Sequence, residues 1–215
     1  TGRVTGRARH FNQIKNDPTG TPTAQVLQKN VAYDLGGRVG SKAGLGMLVK
    51  LNTAPLQAFL DTLENVTFNQ VLLKTGPLET NIASYLPIRT QVMFFTNQTN
   101  EVLFRNDGAW MAVQPDNAPQ YDEATNEPAF SRRPSLLVHN TELNIFNQSM
   151  TSHVSAIYRK RIKRYDLLFY PASINESAQA IDQVVLQDMK GSLRQYVMNG
   201  NNIVLQIYYS KTRNF

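Results

Sequence analysis

The chain has 215 residues, of which 41% are hydrophobic and 18% charged, with a formal net charge of +6; this is ordinary globular material, long enough to bury one core. It contains no cysteine, which excludes disulfides, thiolate metal sites and a thiol nucleophile. No apolar run approaches the ~18 residues that a membrane-crossing helix needs. The sequence opens at Thr1 without a methionine, so we expect a processed product or part of a longer polypeptide. No signal peptide or lipid-attachment cysteine is visible in it.

Residues 1–35 read as an extended basic arm. Arg3, Arg7, Arg9 and Lys15 lie there with no acid among the first fifteen residues, and Asp17-Pro-Thr-Gly-Thr-Pro-Thr is turn chemistry. From residue 36 onward we expect one β-sandwich domain. Gly36-Gly37-Arg-Val-Gly40-Ser-Lys-Ala-Gly44-Leu-Gly46 fits neither phosphate-loop pattern, since Gly-Lys followed by Ser or Thr is missing and a strand, Leu48–Leu51, follows where a helix is required. It is expected to be a loop leading into that strand. Thr53 is placed to cap a short helix, with Pro55 in its first turn and Leu56, Phe59, Leu60 and Leu63 on one face.

Thr67–Lys74, ended by Gly76-Pro77, and Arg89–Phe95 read as strands. Asn106-Asp-Gly108 is a hairpin signal between Val102–Phe104 and Ala109–Val113. Trp110, the only tryptophan, is expected in the core or at its rim. Residues 114–135 carry four prolines together with Asp116, Asp122, Glu123 and Glu127. They lack the alternating ligand spacing of a calcium loop and are expected to be a solvated or mobile polar loop.

Leu136–Asn140 and Glu142–Phe146 are further strand candidates. In Thr151–Tyr165 the apolar residues Val154, Ile157, Tyr158, Ile162 and Tyr165 recur at helical spacing, with Thr151 or Ser152 as cap. Arg159, Lys160, Arg161, Lys163 and Arg164 crowd its later part. Such a block either meets phosphate or forms a solvated helix face. Asp166–Tyr170 reads as a buried strand stopped by Pro171. Ala180–Gln187 is ambiguous between strand and helix, Asn199–Asn202 is a turn, and Ile203–Tyr209 is the clearest strand of all. Tyr208 and Tyr209, being successive, must face opposite sides. Some eight strands with two short helices on the connections imply a mainly β, antiparallel β-sandwich or jelly-roll-like domain.

Several stretches resemble an uncharacterised lipoprotein family of Bacteroidota, in its C-terminal portion. They are Leu35-Gly-Gly-Arg-Val-Gly, Val66-Thr-Phe-Asn-Gln-Val-Leu-Leu, Leu143-Asn-Ile-Phe-Asn-Gln-Ser-Met before a helix, Leu167-Leu-Phe-Tyr-Pro, and the closing Asn202-Ile-Val-Leu-Gln-Ile-Tyr-Tyr-Ser-Lys. The resemblance covers roughly residues 35–215. It implies an exported protein associated with the outer membrane, periplasmic or at the cell surface, with a lipidated segment upstream of Thr1. The basic segment 159–164 is not a hallmark of that family. The layout is also similar to a class of carbohydrate-binding β-sandwiches. Asp61-Thr62-Leu63 resembles the short O-glycosylation pattern of exported proteins in that phylum, which implies Thr62 as an acceptor. Sequons at Asn65, Asn97, Asn147 and Asn175 matter only where asparagine is glycosylated.

His10, His139 and His153 have no metal-ligand spacing, no Gly-X-Ser-X-Gly elbow exists, and no cofactor motif is present. Carboxylate pairs for glycoside hydrolysis would come from distant strands and leave no local signature. The expectation is therefore a protein without catalytic, cofactor or metal residues, docked on a protein partner in an outer-membrane assembly. Arg3, Arg7, Arg9, Arg159, Lys160, Arg161, Lys163 and Arg164 would meet an anionic surface, either lipid head groups or lipopolysaccharide. Two alternatives stay open. One is a viral coat protein whose basic arm binds nucleic acid; the other is a carbohydrate-binding module stacking sugars on Trp110 and the tyrosines.

Overall fold

A computed structural model describes residues 19, 29–33, 36–79, 86–125, 127–129, 133–174, 184–186 and 192–211. Among them the chain forms, in order, β1 (Arg38–Lys42), β2 (Val49–Leu51), α1 (Ala54–Leu60), β3 (Val66–Thr75), β4 (Thr90–Thr96), β5 (Tyr121–Asp122), β6 (Glu127–Pro128), β7 (Leu136–Asn140), β8 (Ile145–Ser149), α2 (Thr151–Tyr158), β9 (Asp166–Ile174), β10 (Val184–Leu186), β11 (Gln195–Asn199) and β12 (Ile203–Lys211). The protein is mainly β, with a curled antiparallel sheet consistent with a β-sandwich.

The large sheet runs β10-β9-β4-β7-β8-β3-β12, with β2 also pairing β9. A separate ribbon pairs β1 with β11, from Arg38 opposite Asn199 to Lys42 opposite Gln195. It joins the core through Tyr196, whose ring lies 5.1 Å from that of Phe146 and whose hydroxyl donates to Gln91 Oε1 at 3.0 Å. Phe95, Phe146, Phe169, Leu60, Leu73, Leu137 and Leu167 are fully buried and define the centre.

β4 is apolar almost throughout because both its faces are covered. Side chains alternate along a strand, so Met93 and Phe95 enter the main core while Val92 and Phe94 join Ala112 and Ala172 in a smaller cluster. The 106–108 hairpin forms as its Asn-Asp-Gly signal implies: Gly108 has φ +81° and the Arg105 amide donates to Ala109 O at 2.8 Å. Trp110 lies at the rim, with its ring 4.9 Å from Phe94 and 5.1 Å from Phe104.

Several expectations are corrected. Pro171 does not stop its strand: β9 continues to Ile174, with Pro171 opposite Gln91 of β4. On its second side β9 pairs β2 only as far as Phe169 and β10 only from Ala172, and a residue without a donor is tolerated in such a gap. The glycine-rich stretch is not all loop, because β1 occupies its middle. A Cβ on Gly40 would sit 2.6 Å from Tyr196 O, so glycine lets β1 approach β11. β8 begins at Ile145, not at Glu142; Asn144 has φ +54°, and Leu143 is exposed on the turn.

The polar stretch 114–135 is largely tied down. The buried Arg105 guanidinium donates to Pro128 O at 2.8 Å, Asp122 at 3.2 Å and Asp107 at 3.3 Å. The Asn106 amide donates to Glu127 at 3.2 Å. Asp122 is held below the usual carboxylate range by the Ala124 amide and by Arg105. Of the ambiguous stretch 180–187, residues 184–186 are strand and the rest lies outside the described residues.

Candidate functional site: the two ends of α2

The basic block follows α2, and the helix is shorter than its apolar spacing implies. α2 stops at Tyr158, and Lys160 has φ +55°. The Lys160 amide donates to Ile157 O and the Arg161 amide to Ala156 O, each at 2.9 Å. These are the paired bonds of a left-handed helix cap, a position usually filled by glycine. Ile162 then folds back into the core. Its place in the helical pattern is a coincidence of burial: the residue is apolar because a turn, not a further helical turn, carries it inward.

Beyond the cap, Arg159, Lys160, Arg161 and Lys163 are exposed. Among the described residues none of the four makes an ion pair or side-chain hydrogen bond. Arg161 lies over the Tyr121 ring, 5.5 Å from its centroid, a cation–π contact that orients the side chain without neutralising it. Arg164 differs. It donates to Asp166 at 2.9 Å and Thr53 Oγ1 at 3.0 Å, and so belongs to the fold. Burial pushes the Asp166 carboxyl up, but the Thr53 amide, Lys50 and Arg164 outweigh that and hold it below the ordinary carboxylate value.

These bonds seat the basic turn beside α1. On one flank the Tyr158 hydroxyl donates to Leu63 O at 3.4 Å, just after α1. On the other, Thr53 Oγ1 donates to Tyr165 O at 2.7 Å, just before α1. Thr53 is therefore at the helix start, as its sequence context implies, but its hydroxyl is engaged elsewhere; Asn52 Oδ1 accepts from the Ala54 amide at 2.9 Å. α1 presents Ala54, Pro55, Ala58 and Phe59 to solvent and contains no charged residue. Phe59 continues an edge-on aromatic chain through Tyr209 (6.3 Å) and Phe68 (6.4 Å) to Tyr158 (5.4 Å).

The opposite end of α2 is closed. Neither Thr151 nor Ser152 caps it with a hydroxyl, contrary to the expectation; Asp116, from the polar stretch, does. Asp116 Oδ1 accepts from the Ser152 amide at 2.8 Å, its other carboxylate oxygen accepts from Ser149 Oγ, and its carbonyl accepts from Ser152 Oγ at 2.8 Å. Thr151 Oγ1 accepts from the Val71 amide at 3.0 Å, where β3 has no strand partner on that side. His153 is buried with its ring stacked 5.5 Å from Phe95, and burial lowers its pKa to about 4 against a slight opposing pull from Asp116. A carboxylate capping from a distant segment has no local sequence signal, which is why the sequence does not reveal it.

Of the other expected contacts, Arg3, Arg7, Arg9 and Lys15, like His10 and Asn175, lie outside the described residues. Thr62 is exposed just past α1, and its hydroxyl donates to Phe59 O at 2.7 Å. Among the described residues no three His, Asp or Glu converge as metal ligands, and no helix is long and apolar enough to cross a membrane.

Fold and surface together define a mainly β protein with a basic turn that has no acid partner among the described residues and with β12 at the end of the large sheet. Compared with known proteins, the chain matches no family model, no curated protein and no solved structure.

Proposed function

We propose that the protein is a non-enzymatic component of the cell envelope, docked on a protein partner in an outer-membrane assembly through the edge strand β12. The observation that carries this reading is the edge itself. β12 spans nine residues and, among the described residues, pairs only with β3. It exposes Val204 (49%), Tyr208 (47%) and Tyr209 (42%). A long edge with free backbone groups templates an extended strand from another chain. The usual protections, a bulge between Tyr208 and Tyr209 and the terminal Lys211, occupy only its last part. The bulge also lets two successive tyrosines be exposed while Tyr209 still touches Phe68.

The compartment is supported by the resemblance of 35–215 to the Bacteroidota lipoprotein family, and O-glycosylation at Thr62 by the exposure of that residue. The test is native electrophoresis of detergent extracts containing the wild-type chain or Val204→Lys/Tyr208→Lys. The wild type should migrate in a larger complex and the variant as a monomer; a wild type that migrates alone overturns the reading.

A carbohydrate-binding reading is favoured by one observation, the adjacent exposed rings of Phe104 and Trp110. A glycan array answers it directly: hits lost on Trp110→Ala would support it, and an empty array would remove it.

A further inference from the structure

We propose that the exposed face of α1 and the turn 159–163 together form a surface that seats on an anionic lipid bilayer. This goes beyond strand docking: its cations lie outside β12, and it adjoins that strand only where Phe59 meets Tyr209.

Three observations converge. Arg159, Lys160, Arg161 and Lys163 point into solvent without an acid partner among the described residues, while Arg38, Lys50, Arg105 and Arg164 each have one. The turn is pinned at both flanks to the two ends of α1, through Tyr158–Leu63 and Tyr165–Thr53, so the cations border that helix. The border is apolar: Ala54, Pro55, Ala58 and Phe59 are exposed, with Phe59 at 37% and in edge contact with Tyr209.

Cations alone are satisfied by water, and an exposed phenylalanine alone is unremarkable. Side by side they match the bilayer boundary, where aromatic rings lie at head-group depth and cations meet lipid phosphates. Four exposed cations within five residues, 159–163, suit an array of lipid phosphates. Acids mark the limits of the surface. Asp61 and Glu64 are exposed just past α1, Asp61 accepting from Gln57 at 2.8 Å. Asp122 and Glu123 lie beyond Tyr121, Asp122 paired with Arg105.

The experiment is co-sedimentation of the full chain with phosphatidylcholine vesicles, with and without phosphatidylglycerol. Binding is expected only with phosphatidylglycerol, and it should weaken steeply as salt rises from about 0.1 M to about 1 M, because screening shortens to roughly 3 Å. Changing Arg159, Lys160, Arg161 and Lys163 to Gln should cost about fivefold for each charge removed. Phe59→Ser should cost at least about tenfold, the loss of one inserted aromatic ring. Arg89→Gln, at an exposed cation elsewhere, should bind as the wild type does. Should the fourfold variant not fold, Phe59→Trp supplies a separate reading: its emission should shift to the blue on phosphatidylglycerol vesicles alone, against the Trp110 background of the unsubstituted protein.

Equal binding to neutral vesicles, full binding by a folded fourfold variant, or no shift from Phe59→Trp would overturn the proposal. Displacement by millimolar inorganic phosphate would also overturn it, by showing a single-phosphate site, as would preferential binding of duplex nucleic acid to the same turn. The fourfold cation variant leaves β12 unaltered, so its failure to weaken vesicle binding would leave strand docking standing. Phe59 touches Tyr209 of β12, so its variants are also run in the native electrophoresis, where the complex should persist. Failure of strand docking would leave this surface standing.

Discussion

The helix α2 is eight residues long, and its two ends have opposite characters. At the N-terminal end the polar groups of Ser149, Thr151 and Ser152 are bonded, and a neutral histidine is packed against Phe95. At the C-terminal end four cations have no acid partner among the described residues, and the chain turns through a lysine in a left-handed conformation. The first end uses its hydroxyls and the Asp116 carboxylate to fix the fold, and only the buried His153 Nδ1 there lacks a hydrogen bond among the described residues. The second leaves its cations available, and availability on a rigid support suits a contact surface. Charge content alone does not separate the two roles, since Arg105 and Arg164 are equally cationic and are absorbed by the structure.

Perturbing the closed end should have the largest effect. Phe95→Ala removes the ring between His153 and Tyr165 (5.3 Å) and should lower stability by about 3–5 kcal/mol in denaturant unfolding. Acid is the next strongest lever. His153 has a folded pKa of about 4 against the ordinary 6.5 of an exposed histidine, so the unfolded chain binds the proton more readily. Stability from this group is therefore complete above pH 6.5 and is lost as pH falls towards 4, by roughly 3 kcal/mol. Unfolding measured against pH should show that slope, and His153→Phe should flatten it.

Asp116→Ala removes the cap and should cost about 1 kcal/mol, with faster amide exchange confined to the first turn of α2. At the open end the sign reverses. Lys160→Gly relieves a left-handed lysine and should stabilise by about 1 kcal/mol while weakening vesicle binding. Changing the four cations to Gln should cost no more than about 1 kcal/mol, because only Arg161, over the Tyr121 ring, touches another group.

Much of the architecture is legible in the sequence because its strands announce themselves. The apolar runs of β4 and β12 and the Asn-Asp-Gly turn act locally. β11 is not among the expected strands, since Gln195–Asn199 offers only Tyr196, Val197 and Met198 between polar residues. β1 hides in a glycine run, because its requirement for glycine comes from Tyr196, a residue far along the chain. Asp116 and Arg105 look like solvated charges when read in place, and only the fold brings them to α2 and to Pro128. The basic block was visible as composition. Its lack of acid partners among the described residues, its separation from the helix and its placement beside α1 are tertiary facts.

The most direct test is hydrogen exchange of the intact protein with and without phosphatidylglycerol vesicles. The account expects new protection across 159–163 and 54–64, and unchanged slow exchange at the first turn of α2. Protection absent from 159–163, or spread evenly over the surface, would contradict it.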